Sequence, residues 1–308
     1  MKRLYILGNG FDVAHKLPTA YLDYRKFLKG SIENEDFCIR MEDTYGLGEN
    51  TDYWWKEFET NLGKGDVFES EFETMAESVI DTMITDEGEE MYDIEDTLKY
   101  HFEPYYSFMN KLNSTVLQWI ESIDIFGVKP IFNRIIPKNN YFFTFNYTDV
   151  LEKVYNIPKD RICHIHGSAT EGFVVMGHGN LSTIEKYKKM TREKEEKRDK
   201  NGAEISQGIY NFYITSFKNT KEIIEMKQAV FSRYMGIGEI HIFGHSLGEV
   251  DLPYFQEIKK YVLPTTNWYF YVYCQKEEFT IKKKEIYKKV ERLRINRKHI
   301  HILRSTQF

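Results

Sequence analysis

The feature that most restricts the fold is a short aliphatic or aromatic run that stops at a polar motif, found four times along the chain. Leu4 to Leu7 runs into Gly8-Asn9-Gly10-Phe11-Asp12, and Tyr141 to Phe145 ends in Thr144-Phe145-Asn146-Tyr147-Thr148-Asp149. Ile162 to Ile165 closes on His164-Ile165-His166-Gly167-Ser168, and Ile240 to Phe243 on Gly244-His245-Ser246-Leu247-Gly248. Three further runs, Phe173 to Met176, Trp268 to Cys274 and His299 to Leu303, also read as strands. Helical spacing fills the gaps at Tyr21 to Leu28, Trp54 to Asn61, Val67 to Ile84, Ile94 to Ile123, Lys221 to Met235, Tyr254 to Tyr261 and Lys283 to Arg292. This alternation predicts an α/β fold with a parallel sheet covered by helices. Residues 54–125 hold no strand pattern and read as a helical insertion or lid between 1–53 and 126–308. Lys186 to Lys200, followed by Asn201-Gly202, reads as a charged surface helix and a turn.

Composition allows such a core: 42% of residues are apolar and 16% aromatic, which excludes a chain too polar to fold. Three scattered cysteines, Cys38, Cys163 and Cys274, argue against a disulfide framework and suit a reducing cytoplasm. The apolar stretch after Met1 is too short for a signal peptide, and no run reaches the length of a membrane span. Charge is uneven: 14 acidic residues and one lysine lie between Asp66 and Glu103, and ten Lys or Arg between Lys282 and Arg304. Solvated helix faces are the plain reading. Contact between copies of the chain, or between the basic tail and nucleic acid, stays open.

In an open parallel sheet, ligands collect beyond the carboxyl ends of the strands, so the four motifs are expected around one crevice. The glycines Gly8 and Gly10 permit a tight turn and close approach to a phosphate, although Val13 occupies the third glycine position of a dinucleotide fingerprint. Asp12, His15 and Thr19 add hydrogen-bonding groups to that loop. Asn146 reads either as a turn or cap residue, or as an amide that orients a ribose hydroxyl or a water. Strand alternation puts His164 and His166 on one face, where a histidine could act as a base near neutral pH. His178, His245 and Asp251 are the conceivable metal donors, but their spacing matches no standard site and no metal is expected. Gly244-His245-Ser246-Leu247-Gly248 has the form of a hydrolase nucleophile elbow, with Glu277 and His299 or His301 as conceivable partners.

With these residues in view, the chain resembles the AbiH-type bacterial abortive-infection family. The resemblance runs through Gly8 to His15 with Leu17-Pro18-Thr19, the Trp55 to Leu62 segment, Phe145 to Thr148, His164 to Gly167, and Phe243 to Leu247 with Asp251. That family is in turn similar to sirtuin-like NAD-binding domains, which implies a Rossmann-like sheet and a role in anti-phage defence. Carried over, Gly8 and Gly10 would line the phosphates, Asn146 would match the sirtuin-like asparagine, and His166 the histidine before Gly167. Gly244, His245, Ser246 and Asp251 would close the cofactor's other side, with Asn9, Phe11, Asp12, His15, Thr19 and Thr144 completing the site. Asn9 and Asp12 depart from the sirtuin residues and the zinc cysteines are missing, so NAD hydrolysis is implied rather than deacetylation. Asn146 would position the ribose or a water and His166 would take a proton. The rival readings are a serine hydrolase acting through Ser246, and a nucleotide sensor without chemistry. Self-association and the phage-derived trigger are left open by the sequence.

Overall fold

The computed structural model describes residues 2–48, 51–83, 94–132 and 140–305. Two compact units result, one built from residues 1–24, 116–175 and 219–308, the other from 25–115 and 176–218. No helix among the described residues is long and apolar enough to cross a membrane.

The first unit is built on a six-stranded parallel sheet. Its strands are β1 (Arg3–Leu7), β2 (Tyr141–Thr144) and β3 (Ile162–His164), and then β6 (Glu239–Phe243), β7 (Asn267–Tyr273) and β8 (Ile300–Ser305). Between them, β4 (Gly167–Ser168) and β5 (Phe173–Val174) form a separate antiparallel hairpin. The order across the sheet is β3-β2-β1-β6-β7-β8. Counted along the chain without the hairpin, this is the doubly wound 3-2-1-4-5-6 order of the Rossmann fold. The chain reverses direction across the sheet between β1 and β6.

Strands buried on both faces read as unbroken apolar runs, and β1 shows why. Leu4 and Ile6 join a cluster with Phe143, Ile240, Ile242, Tyr254 and Trp268. Tyr5 and Leu7 point the other way, into a cluster with Phe11, Phe142, Val150, Leu151 and Tyr155. On that second face the rings of Phe142, Tyr5, His241, Tyr269 and His301 stack in register across five neighbouring strands, with centroids 4.7 to 5.4 Å apart. Part of the high aromatic content is accounted for by this row.

Several sequence expectations change. Phe173 to Met176 is not a sheet strand: only Phe173 and Val174 are extended, and they pair with Gly167 and Ser168, because the chain turns back over 169–172 with Gly172 at φ +73°. Tyr141 to Phe145 ends one residue early, at Thr144. Asn201-Gly202 is not the turn. The chain turns at 197–199 with Arg198 at φ +59°, and Asp199 accepts the Gly202 N–H to start the next helix.

The second unit is helical. It contains the helices Ile32–Thr44, Thr51–Lys56, Phe58–Leu62, Asp66–Met83, Ile94–Ser107, Leu181–Glu196 and Lys200–Thr215. The helix expected over Ile94 to Ile123 breaks into Ile94–Ser107, a short 3-10 turn at Phe108–Lys111, and Leu112–Ser122. Phe68 stacks on Phe212 at 3.8 Å, and Phe72 packs where Gly208 has no side chain. Glu69 accepts hydrogen bonds from the hydroxyls of Tyr187 and Tyr213, both at 2.6 Å. The wholly buried Lys218 is paired with Glu59 at 2.8 Å. His178 has both ring nitrogens engaged: Nδ1 accepts the Asn180 N–H and Nε2 donates to the Tyr213 carbonyl. Burial lowers its pKa to about 4.

Backbone conformation and burial each give a testable consequence. Gly244 sits at φ +61° with an added Cβ only 2.4 Å from the Phe11 nitrogen, whereas Gly236 at φ +78° faces open space. Urea denaturation should therefore show Gly244→Ala losing at least about 3 kcal/mol and Gly236→Ala only about 1 to 2. For His178, the folded pKa is below the unfolded one, so its contribution is complete above pH 6.5 and is lost as pH falls toward 4. His178→Gln should be less stable at pH 7 yet lose roughly 3 kcal/mol less than wild type on acidification through that window. An equal acid slope in both proteins would contradict the assignment.

Candidate functional site

The switch point is closed by the backbone itself. The Gly8 N–H donates to the Phe243 carbonyl at 3.0 Å and the Gly10 N–H to the Gly244 carbonyl at 2.8 Å. A Cβ on Gly8 would lie 2.7 Å from the His245 Cα, and one on Gly10 would lie 2.7 Å from the Gly244 Cα. These glycines are required because two loops touch. Their N–H groups are committed to that contact, so they shape the loop and do not present an open anion cradle.

The remaining side chains of the loop divide into satisfied and unsatisfied groups. Asn9 donates to the Thr19 carbonyl at 2.6 Å, tying the loop together. Phe11 is core, packed on His15, Phe132 and Tyr155. Tyr155 accepts the N–H groups of Ile131 and Phe132, so its hydroxyl proton goes to His15 Nε2, while His15 Nδ1–H donates to the Phe11 carbonyl. Burial lowers the His15 pKa, which suits this neutral tautomer. His15 therefore anchors the loop. Thr19 is buried with no partner for its hydroxyl among the described residues.

Asp12 and Asn146 are the exceptional residues. Asp12 is 1% exposed, its Oδ2 accepts the Thr148 hydroxyl at 2.6 Å, and its Oδ1 has no partner among the described residues. Burial pushes its pKa up to about 7, against the opposing pull of Thr148, Asn146 and His164. The Asn146 amide is near enough to favour the carboxylate, yet neither of its polar atoms meets hydrogen-bond geometry with a described residue. Its backbone is held at both ends: the N–H donates to Thr144 Oγ1 at 3.1 Å and the carbonyl accepts from His164 Nδ1 at 2.9 Å. His164 Nε2 faces Glu152 at 3.0 Å. Burial alone would lower the His164 pKa, but Glu152 and the Asn146 carbonyl raise it overall.

His164 and His166 do not share a face. β3 stops at His164, whose ring turns toward Glu152 on the helix Val150–Lys153; two residues on, inside the turn, the His166 ring meets the Tyr254 hydroxyl at 3.1 Å. Tyr254 belongs to the helix Leu252–Tyr261 and to the opposite core cluster. The Phe145 ring lies between two histidines, 5.5 Å from His166 and 4.2 Å from His245. His245 Nδ1 accepts the Leu247 N–H, which leaves Nε2–H facing Asp251 at 3.4 Å. All four motifs thus reach the carboxyl edge of adjacent strands, but Asp12, Asn146 and His164 form one set and His166, His245 and Asp251 another.

The elbow geometry of a serine hydrolase is not met. Ser246 is exposed, the left-handed residues are Gly244 and Leu247, and a 3-10 turn follows in place of a helix. His299 and His301 both contact Asn267 Oδ1 at the amino end of β7, far from the Ser246 loop. Two residues of the basic tail steady that loop: Lys289 donates to the Ser246 carbonyl at 2.7 Å, and Arg292 pairs with Glu249.

Sequence reasoning passed over Glu152 and Thr170, which carry no local signal, gave no role to Thr148, Asp149 or Tyr254, and treated His164 only as a histidine that could act as a base. Asp149 accepts the Thr170 hydroxyl at 2.7 Å and pairs with Lys153 at 3.1 Å. Ligand atoms of Asp149, Glu152 and His164 lie within 4.8 Å of one another, a grouping able to hold a cation, although Lys153 already supplies one positive charge there. A cavity of about 210 Å³ opens beside Thr148, Asp149 and Thr170, smaller than the ~300–1,000 Å³ usual for whole ligands. His178 belongs to the helical unit, and with both ring nitrogens engaged it offers no lone pair to a metal.

Fold and site together define a Rossmann-like α/β protein with a buried polar site beside its switch point. Residues 4–272 match the family model described as bacteriophage abortive infection AbiH, and the chain belongs to that family. No curated protein and no solved structure was found to match it.

The raised pKa of Asp12 has a measurable effect on folding. A carboxyl whose folded pKa exceeds its unfolded value favours the folded state most below pH 3.8, and that advantage disappears as pH rises toward 7. Relative to wild type, Asp12→Asn should gain on the order of 2 to 3 kcal/mol between pH 5 and pH 8 in denaturant titrations. A constant difference across that range would show that Asp12 is ionised throughout.

Proposed function

We propose that the α/β unit binds NAD or a related nucleotide at the carboxyl edge of its sheet and hydrolyses the N-glycosidic bond, releasing nicotinamide. The observation that carries this reading is the Asn146 side chain, 7% exposed, with both amide atoms unpartnered among the described residues on a backbone pinned by Thr144 and His164. A buried amide left unpaired costs about 1 to 3 kcal/mol, so such a group marks a place where a ligand or water completes the hydrogen bonds. Its position, in the loop just past the end of β2 and next to the switch point, is where doubly wound sheets hold nucleotides. The resemblance of the sequence motifs to those of sirtuin-like domains is the ground for choosing NAD. Membership of an abortive-infection family supports a reaction that removes a metabolite needed by the host and therefore by the phage.

In this reading Asn146 orients the ribose or the attacking water. His166, held by Tyr254, hydrogen-bonds the ribose from the next strand end. Gly8, Gly10 and Gly244 supply the closely packed floor, with His245, Ser246 and Asp251 beyond it. A nucleotide sensor without chemistry is the second reading, and the same buried amide supports it equally.

Incubation of purified protein with NAD, followed by chromatography, should show free nicotinamide. Asn146→Ala and His166→Ala should each reduce release by at least about 100-fold while leaving the thermal transition in place. Release that survives both substitutions removes the site. Stabilisation by NAD without any product selects the sensor reading.

A further inference from the structure

We infer that Asp12 is the acid-base residue of this site, its unpartnered Oδ1 taking the proton of the water that attacks the ribose. The inference rests on the N-glycosidic reading above and adds the residue that moves the proton. Asp12 is fully buried and uses one oxygen for the Thr148 hydroxyl, leaving Oδ1 without a partner among the described residues. A carboxylate has about four acceptor positions, and a buried one with so few filled is strongly disfavoured unless a donor arrives. The unpartnered Asn146 amide lies beside it, so one incoming molecule can satisfy both side chains. A water between them would donate to Asp12 and to the Asn146 carbonyl oxygen, or accept from the Asn146 NH₂.

Rigidity supports the role. Asp12 lies two residues after Gly10, whose N–H is locked to Gly244, and Thr148 lies two residues after Asn146, whose backbone is locked to Thr144 and His164. Preset geometry of this kind is what proton transfer from a bound water needs. The step balances without a co-reactant. The ribose C1′–N bond breaks and its electron pair neutralises the nicotinamide ring nitrogen; the water oxygen bonds to C1′, and its proton passes to Asp12 and then to solvent. A carboxylate at this place also favours the positive charge that develops on the ribose. A pKa of about 7 lets the same group accept the proton and release it again. His166 is less suited as the proton acceptor, since its Nε2 is already engaged with the Tyr254 hydroxyl at 3.1 Å. The titratable group acting on Asp12 is His164, itself paired with Glu152; His15, which follows the same short helix, is committed to Phe11 and Tyr155.

The test follows nicotinamide release from NAD between pH 5.5 and 9 for the wild type, Asp12→Asn and Asn146→Ala, with NAD affinity measured by calorimetry. The wild-type rate should rise about tenfold per pH unit below about 7 and then level. Asp12→Asn should lose at least about 100-fold in kcat with KM within about threefold, and its profile should be flat. If Asp12→Asn keeps its rate and pH profile while Asn146→Ala is inactive, Asp12 is not the proton acceptor and the NAD reading stands. If the wild type neither binds nor cleaves NAD, the NAD reading itself fails. Binding without release removes the acid-base role and leaves a sensor.

Discussion

The contact on which the α/β unit depends is the backbone pairing of Gly10 with Gly244 at the point where the sheet reverses. Neither glycine can carry a side chain, because each Cβ would fall within 2.7 Å of the other loop. The pairing fixes the chain leaving β1 against the chain leaving β6, and Asp12 and the Phe11 core anchor inherit their positions from it. A Rossmann sheet usually leaves this crevice open for a pyrophosphate. Here the two loops close it, and the unsatisfied polar groups appear one strand over, between the ends of β1 and β2.

The contrast between histidines and the Asp12–Asn146 pair gives the site its meaning. The rings of His15, His178 and His245 are buried, and each has a geometry that assigns its protons to named partners. These rings are fully partnered, whereas Thr19 Oγ1, Glu152 Oε2 and Ser216 Oγ are further buried atoms without a partner among the described residues. Asp12 and Asn146 lie in the same kind of interior with partners missing among the described residues, and their backbones are as firmly held as any. Strain and unpaired polarity concentrate at functional sites because folding alone would remove them. His164, paired with Glu152 and hydrogen-bonded to the Asn146 carbonyl, draws the Asp12 carboxyl toward ionisation.

Much of the architecture was readable from residue pattern. Each strand bearing a motif was visible because a parallel strand buried on both faces is an unbroken apolar run, as at Leu4 to Leu7. The motifs fell at the expected strand ends for the same reason. Local pattern could not say that Gly8 and Gly10 face another loop and not a phosphate, since a glycine turn looks identical in both cases. The shared face expected of His164 and His166 failed because alternation holds only inside a strand, and β3 ends between them. Glu152 and Thr170 gave no signal at all; their roles exist only through partners 12 and 21 residues away. The basic tail, read as a solvated face, proved partly structural through Lys289 and Arg292.

On the proposed reading, the Asn146 amide has no partner among the described residues because a nucleotide completes it. The most direct measurement is the side-chain NH₂ resonance pair of Asn146 in a nitrogen–proton correlation spectrum, identified by its loss in Asn146→Ala and followed as NAD is added. A saturable shift of that pair, with slower exchange of its protons with solvent, is the expected result. A pair unmoved at saturating NAD, with exchange unchanged, would contradict the claim.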